Sequence, residues 1–247
     1  MNDVAGQRDL EHFVYYIIRP VRKVTQETEA KIETAKRAQY KLPFPPLHII
    51  DPKYETDQEH DPIGTTTLAT NTRHIGSSDV IIDYFDPLSQ ASDFDRAVTF
   101  ALEKPLHILN RPDVEKAAAD VSSEKHYIAE FLFSYEKYGP GTAERNLPWL
   151  HNWAIGMLSA LHEGTQPVLL TYEHNSPLFI FHFGMAFALN KDIYIARPAD
   201  LRQHVVEGTK SIENVLITLD ARCRAEHPDI RDKQLGLNEK SYKPTKT

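Results

Sequence analysis

Residues 79–109 decide the fold. They open with Asp79-Val80-Ile81-Ile82-Asp83-Tyr84-Phe85, a short apolar run rich in β-branched residues. Residues 93–103 then have the composition of a helix, and Pro105-Leu106-His107-Ile108-Leu109 is a second apolar run. Strand, helix, strand in this order is a parallel βαβ unit, because parallel neighbours need a crossover and a helix supplies one. Upstream, His12-Phe13-Val14-Tyr15-Tyr16-Ile17-Ile18 is a continuous apolar and aromatic run, the pattern of a strand buried on both faces. Arg19-Pro20-Val21-Arg22 ends it, and Thr25 is placed to cap a helix that Leu42-Pro43-Phe44-Pro45-Pro46 stops. Leu47-His48-Ile49-Ile50 reads as a strand, residues 51–64 as a long acidic loop, and residues 65–76 as a helix.

Downstream, residues 113–138 are mostly helical, broken at Gly139-Pro140-Gly141. Residues 146–162 carry a helix with Trp149, Trp153 and Met157 on one face, a pattern of core or oligomer interface. Pro167-Val168-Leu169-Leu170-Thr171-Tyr172 and Asp192-Ile193-Tyr194-Ile195-Ala196 are strands around a very apolar helix at 178–189. Residues 211–227 read as a strand at Val215-Leu216-Ile217-Thr218 or as a helix, which Asp220-Ala221-Arg222 favours by continuing it, and the tail from Asp229 is polar. The expectation is a single α/β domain over residues 1–247, a Rossmann-like layered fold with a mostly parallel sheet of five to seven strands flanked by helices.

A partial internal repeat refines this reading. A shift of 87 lays Phe94-Asp95-Arg96-Ala97-Val98-Thr99-Phe100-Ala101-Leu102-Glu103-Lys104 over Phe181-His182-Phe183-Gly184-Met185-Ala186-Phe187-Ala188-Leu189-Asn190-Lys191, with five of the eleven pairs identical. It also pairs Asp86 with Glu173 and Ser89 with Ser176. Residues 79–110 thus recur at 166–197, within a first part at 12–112 and a second at 113–230.

Composition bounds the partners. Lys and Arg number 28 against 35 Asp and Glu, a net charge of −7, which disfavours duplex nucleic acid and anionic membranes as partners. The single cysteine, Cys223, excludes an internal disulfide and a cysteine-based zinc site. No apolar run reaches the length of a membrane span and residues 1–11 lack a signal peptide's apolar core, so a cytoplasmic protein is expected. Twelve histidines show no metal-ligand spacing, and no glycine-rich phosphate loop follows a strand, so neither metal nor cofactor is expected.

In an open parallel sheet, ligands bind at the carboxyl ends of the strands. Arg19 and Arg22 follow the first strand beside a helix N-terminus, a combination suited to phosphate, or else two solvated arginines. The acidic loop with Asp51, Asp57 and Asp61 follows the second strand. Asp86, Ser89, Ser92 and Asp95 follow the third. Ser92 as a helix N-cap, with Asp95 favouring the helix dipole, is a purely structural alternative for those two.

Three stretches resemble the nucleoside 2-deoxyribosyltransferase superfamily, which includes nucleotide N-glycosidases: Tyr15-Tyr16-Ile17-Ile18-Arg19-Pro20, residues 71–82, and Ser92-Asp93-Phe94-Asp95-Arg96-Ala97 running on to Pro105. The resemblance covers about residues 13–112, with a weaker echo at 166–198. It implies that Asp95 takes the place of the family's nucleophilic Glu. Asn71 falls at the position of an Asp that contacts the base, and Ser89 at that of an Asp that assists proton transfer. Tyr16 lies near the family's N-terminal strand tyrosine, and Arg19 and Arg22 resemble its phosphate-contacting turn. Asp is one methylene shorter than Glu, and Asp86 is the carboxylate nearest to the accessory position. The second copy has His182 where the first has Asp95.

The expected activity is hydrolysis or transfer at the N-glycosidic bond of a nucleoside or nucleoside 5′-monophosphate. Asp95 is the catalytic nucleophile and Asp86 the acid. Tyr16, Arg19, Arg22, Asn71, Ser89 and Ser92 are the substrate-binding set, with Phe85, Phe94 and Tyr16 available to stack on the base. The alternatives are a non-catalytic nucleotide-binding or scaffold protein, and an enzyme cleaving the nicotinamide bond of a dinucleotide. Family members commonly assemble, so a homodimer or higher homo-oligomer is compatible with the Phe-rich second copy.

Overall fold

A computed structural model describes residues 13–56, 61, 63–121, 125–140, 147–164, 167–174, 176–205 and 211–228. Its first half runs β1 (Val14–Ile18), α1 (Gln26–Gln39), β2 (His48–Ile50), α2 (Pro52–Glu55), α3 (Thr65–Ser77), β3 (Val80–Asp83), α4 (Gln90–Ala101) and β4 (Leu106–Ile108). The second runs α5 (Arg111–Ala119), α6 (Lys125–Tyr138), α7 (Trp149–Glu163), β5 (Val168–Leu170), α8 (Pro177–Ala188), β6 (Ile193–Ile195), α9 (Pro198–Arg202) and α10 (Ile212–Glu226). The acidic segment after β2 holds a one-turn helix, α2, with Asp51 as its N-cap. Asp57 and the tail from Asp229 lie outside the described residues. No helix among the described residues is long and apolar enough to cross a membrane.

The chain is α/β with parallel pairing, but the strands do not form one sheet of five to seven. Among the described residues, β2-β1-β3-β4 make a four-stranded parallel sheet, and β5 and β6 pair only with each other. Side chains take up the edges that a single sheet would join. On β4 the Ile108 N–H donates to Glu136 of α6 at 2.9 Å, and on β6 the Ile195 N–H donates to Asp220 of α10 at 2.8 Å. A strand edge whose N–H is already taken offers less to a further strand.

The repeat is visible in three dimensions. A shift of 87 carries α4 onto α8 and β4 onto β6 end to end, and β3 onto β5 within one residue. Ser89 and Ser176 are the N-caps of α4 and α8, and their hydroxyls accept from Ser92 N–H and Phe179 N–H. Beyond the helices, Glu103 and Asn190 both adopt φ of 52°, the left-handed turn that leads into the next strand. Helix α4 therefore starts earlier than expected, with Ser89 rather than Ser92 as its cap. Asp95 sits in its second turn, out of reach of a capping role.

The two copies meet along α4 and α8. A Cβ on Gly184 would lie 2.7 Å from the Ala97 Cβ and 3.0 Å from the Phe94 carbonyl oxygen, so the approach requires glycine there. Positions 97 and 184 correspond under the shift, and contact between equivalent positions is what a twofold-like arrangement produces. Phe94 packs against Phe183 and Phe187 at 5.2 and 5.5 Å between ring centroids. One hydrophobic cluster runs from Tyr16 and Ile18 of β1 through this seam to Val215 and Leu216 of α10. Trp149 lies outside the core of the chain and stands 54 % exposed, while Trp153 and Met157 are half-buried.

Candidate functional site

The strand order reverses direction between β1 and β3, and the crevice outside such a reversal is where open α/β sheets bind ligands. A cleft of about 540 Å³ opens there, a size suited to a small molecule. The turn after β1 supplies Arg19, Arg22 and Lys23. Helix α3 supplies Asn71, and the β3–α4 region supplies Asp86, Ser89 and Asp95. The far wall comes from the second half, as Ser211, Ile212 and Val215 at the start of α10. Val215 packs 3.4 Å from where a Gly64 side chain would begin.

Asp95 is the chemical centre of this cleft. It is 4 % exposed. Its Oδ2 accepts from the Tyr16 hydroxyl at 3.0 Å and, more weakly, from Asn71 Nδ2 at 3.5 Å. The Asn71 amide is oriented by Thr56, whose hydroxyl donates to Asn71 Oδ1 at 3.0 Å. The second carboxyl oxygen, Oδ1, has no hydrogen-bond partner. Burial pushes the carboxyl up to about 7, against the hydrogen bonds from Tyr16 and Asn71, which favour the ionised form. A buried carboxyl poised near neutrality, with one oxygen held and the other buried without a partner, is an arrangement that catalytic sites build.

Beneath it lies a clamp that sequence reading missed. The Arg96 guanidinium takes both oxygens of Asp83, at 2.7 and 3.0 Å, and Asp93 Oδ1 at 2.6 Å. All three groups are buried, and Arg96 also lies over the Phe85 ring at 5.1 Å. Burial raises Asp93 to about 6 although Arg96 opposes the shift. The clamp ties the end of β3 to the first turns of α4 and so fixes the turn that carries Asp95. Its signal in the sequence was Asp93 and Arg96 at i, i+3 on a helix that also carries Phe94, Ala97, Val98 and Phe100, downstream of an apolar run ending in Asp83.

The remaining expected site residues divide. Asp86 lines the cleft, its Oδ1 accepting from Leu88 N–H at 2.8 Å. Ser89 lines it while capping α4. Ser92 is buried and bonds Ser89 at 2.9 Å, so its hydroxyl faces the cap and not the cleft. Tyr16 is fully buried and bonds Asp95, which makes it a holder of the carboxyl and not a stacking platform. Phe85 lies under Arg96 and Phe94 in the α4–α8 seam, so neither offers its face to a base.

Arg19 differs most from expectation. Its side chain is fully buried and ion-paired with Glu29, with Asp51 at 3.2 Å and with Glu33 at 3.7 Å. Lys36 and Lys53 join the network through Asp51 and Glu29 at 2.6 and 2.7 Å. Arg19 thus anchors the turn after β1 to α1 and β2, and its charge is matched within the protein. The positive charge nearer the cleft mouth belongs to the exposed Arg22 and Lys23. Asp51 belongs to this network, and Asp61 accepts from the N–H groups of Gly64 and Thr67 at 2.9 and 2.6 Å. Of Asp51, Asp61 and Asp86, Asp86 is the one that lines the cleft.

Among the described residues, Asp192, Glu226 and His227 place donor atoms within 4.8 Å of one another, as a metal site would require. His227 already pairs with Asp192 at 2.9 Å and Glu226 with Arg222 at 3.0 Å, so ion pairing within the protein accounts for the grouping. With this geometry described, comparison with known proteins adds no relative: no family model, no curated protein and no solved structure matches the chain.

Proposed function

We propose that this protein cleaves, or transfers a sugar at, the N-glycosidic bond of a nucleoside or nucleoside 5′-monophosphate. One observation carries the reading: the buried Asp95 carboxyl, held through Oδ2 by Tyr16 and Asn71 with Oδ1 unpartnered, in a cleft that Asp86 also lines. Two carboxyl groups around one sugar-sized cleft are the requirement of glycosidic chemistry through an oxocarbenium-like transition state. The Asp95 carboxylate bonds to the anomeric carbon as the carbon–nitrogen bond breaks. Asp86 delivers a proton to the departing base. Water, or a second base, then displaces Asp95 from the sugar and restores the carboxylate. Arg22 and Lys23, which line the cleft, carry the positive charge that a 5′-phosphate would meet. The resemblance to the deoxyribosyltransferase superfamily agrees with this reading through Asp95, Asn71 and Tyr16.

The test is release of free base from a panel of nucleosides and 5′-monophosphates, followed by liquid chromatography. Asp95→Asn lowers the rate by roughly 10²–10⁴-fold. The wild-type pH–rate profile has a midpoint near 7, because the ionised form of Asp95 attacks and burial has raised its pKa to about 7. No base released from any substrate, with the same compounds still raising the melting temperature, would replace this reading with ligand binding alone.

A further inference from the structure

At the end of β5 and the start of α8, where the repeat places the counterpart of the Asp95 cleft, a second cleft opens. Its volume is about 670 Å³, and Glu173, His174, Ser176, Tyr127 and Trp149 line it. The shift of 87 maps Asp86 to Glu173 and Ser89 to Ser176, and each member of both pairs lines its own cleft. The duplication therefore preserved the position of the cleft along with the helix cap beside it. It did not preserve the nucleophile. His182, the counterpart of Asp95, does not line the second cleft. Its ring lies 6.3 Å from Trp153 in an edge-to-face contact, and burial lowers its pKa to about 4, so it is neutral.

Aromatic rings distinguish the second cleft. Trp149 is 54 % and Tyr127 40 % exposed, and the two rings meet edge to face at 5.8 Å. An exposed indole and phenol at the rim of a cavity offer a stacking surface for a flat ligand. Beside them Glu173 presents a carboxylate, an acceptor for a ring N–H or an exocyclic amine. His174, stacked on His204 at 4.0 Å and bonded to the Tyr172 hydroxyl at 2.9 Å, forms a further polar wall.

We propose that this second cleft binds a nucleobase-bearing ligand, a nucleoside or nucleotide, and holds it without cleaving it. The base stacks on Trp149 and Tyr127 and donates to Glu173. No carboxylate stands where Asp95 stands in the first cleft, so the glycosidic bond survives. The ligand class follows from the stacking surface and also rests on the reading of the first cleft, and the experiment separates the two.

Only two tryptophans exist, Trp149 and Trp153, and neither lines the first cleft, so indole fluorescence reports on the second. Asp95→Asn protein, with its first cleft disabled for cleavage, is titrated with adenosine 5′-monophosphate and, in parallel, with ribose 5-phosphate. The expected result is saturable quenching by the nucleotide alone, lost in Trp149→Phe and kept in Trp153→Phe. Glu173→Gln weakens it about tenfold, the loss of one charge-assisted hydrogen bond. Absence of saturable quenching, quenching that persists in Trp149→Phe, or equal quenching by ribose 5-phosphate overturns the proposal. So does a dimer in which Trp149 is shielded before any ligand is added. Base release by the wild-type protein is scored separately, so either reading can fail while the other stands.

Discussion

The unit β3-α4-β4 and the unit β5-α8-β6 share their ends, their serine caps and their left-handed exits, yet they bury opposite kinds of side chain. Asp83, Asp93, Asp95 and Arg96 of the first correspond to Leu170, Ile180, His182 and Phe183 of the second. Asn71 corresponds to Leu158. The second unit shows that the frame forms around an apolar centre. The charges of the first unit are therefore not required by the frame. Buried ion pairs are often no more stabilising than apolar side chains of similar volume, so their presence under the cleft points to positioning of Asp95.

The largest break in this comparison comes from Arg96→Met. It leaves Asp83 and Asp93 buried without their cation and lowers stability in urea denaturation by about 3–5 kcal/mol. Importing the residues of the second unit together, as Asp83→Leu, Asp93→Ile and Arg96→Phe, returns stability to within about 1 kcal/mol of the wild type while base release is lost. A triple variant as unstable as the single one would show that the first frame does need its charges.

The next effect depends on pH. Burial raises folded Asp95 to about 7, so the folded state holds its proton more tightly than the unfolded chain. The stability associated with that proton is full below the ordinary carboxylate range and is lost as the pH rises toward 7. Asp95→Asn removes the ionisation. Its stability in chemical denaturation, compared with the wild type, therefore improves between pH 5 and pH 8, by about 1.4 kcal/mol for each unit of pKa shift expressed. Parallel curves for the two proteins would mean that Asp95 ionises freely in the fold.

Gly184→Ala tests the seam between the units. The added methyl meets Ala97 and the Phe94 carbonyl, and the expected cost is about 1–3 kcal/mol. Ala97→Gly in the same chain moves the small residue to the equivalent position on the other helix and recovers part of that loss. A double-mutant cycle in chemical denaturation measures the coupling. The smallest effect separates structure from chemistry. Ser89→Ala and Ser176→Ala each cost about 1 kcal/mol as lost caps, and Ser89→Ala alone also changes base release because only Ser89 lines the Asp95 cleft.

Much of the fold was legible because its signals are local. The apolar runs of β1 and β3, the helix of residues 65–77 and the late helix α10 follow from periodicity and composition within short windows. The start of α4 was misplaced because Ser89 and Ser92 are both good caps, and the choice between them depends on how the helix packs. Sheet membership was not legible. Nothing in Ile108 or Ile195 announces that Glu136 and Asp220 will occupy their edges, since those carboxylates arrive from helices 28 and 25 residues away. In the site, residue types and their neighbourhood were readable for Asp95, Asn71 and Asp86. The occupancy of Arg19 by Glu29 and Asp51, and the wall built by α10, were not.

By itself the sequence determined the alternation of strands and helices, the duplicated strand–helix–strand unit, the acidic balance and the carboxylate at position 95. Hydrophobic period, turn chemistry and self-similarity act over short distances, so they survive in a linear reading. The tertiary structure alone decided which charges are neutralised and which buried carboxyl oxygen is left without a partner. It also decided that the six strands among the described residues divide into sheets of four and two, and that Trp149 faces solvent beside a second cleft. Those outcomes depend on dehydration and pairing between residues far apart in the chain. A buried group's protonation and availability are properties of its surroundings, and folding supplies the surroundings.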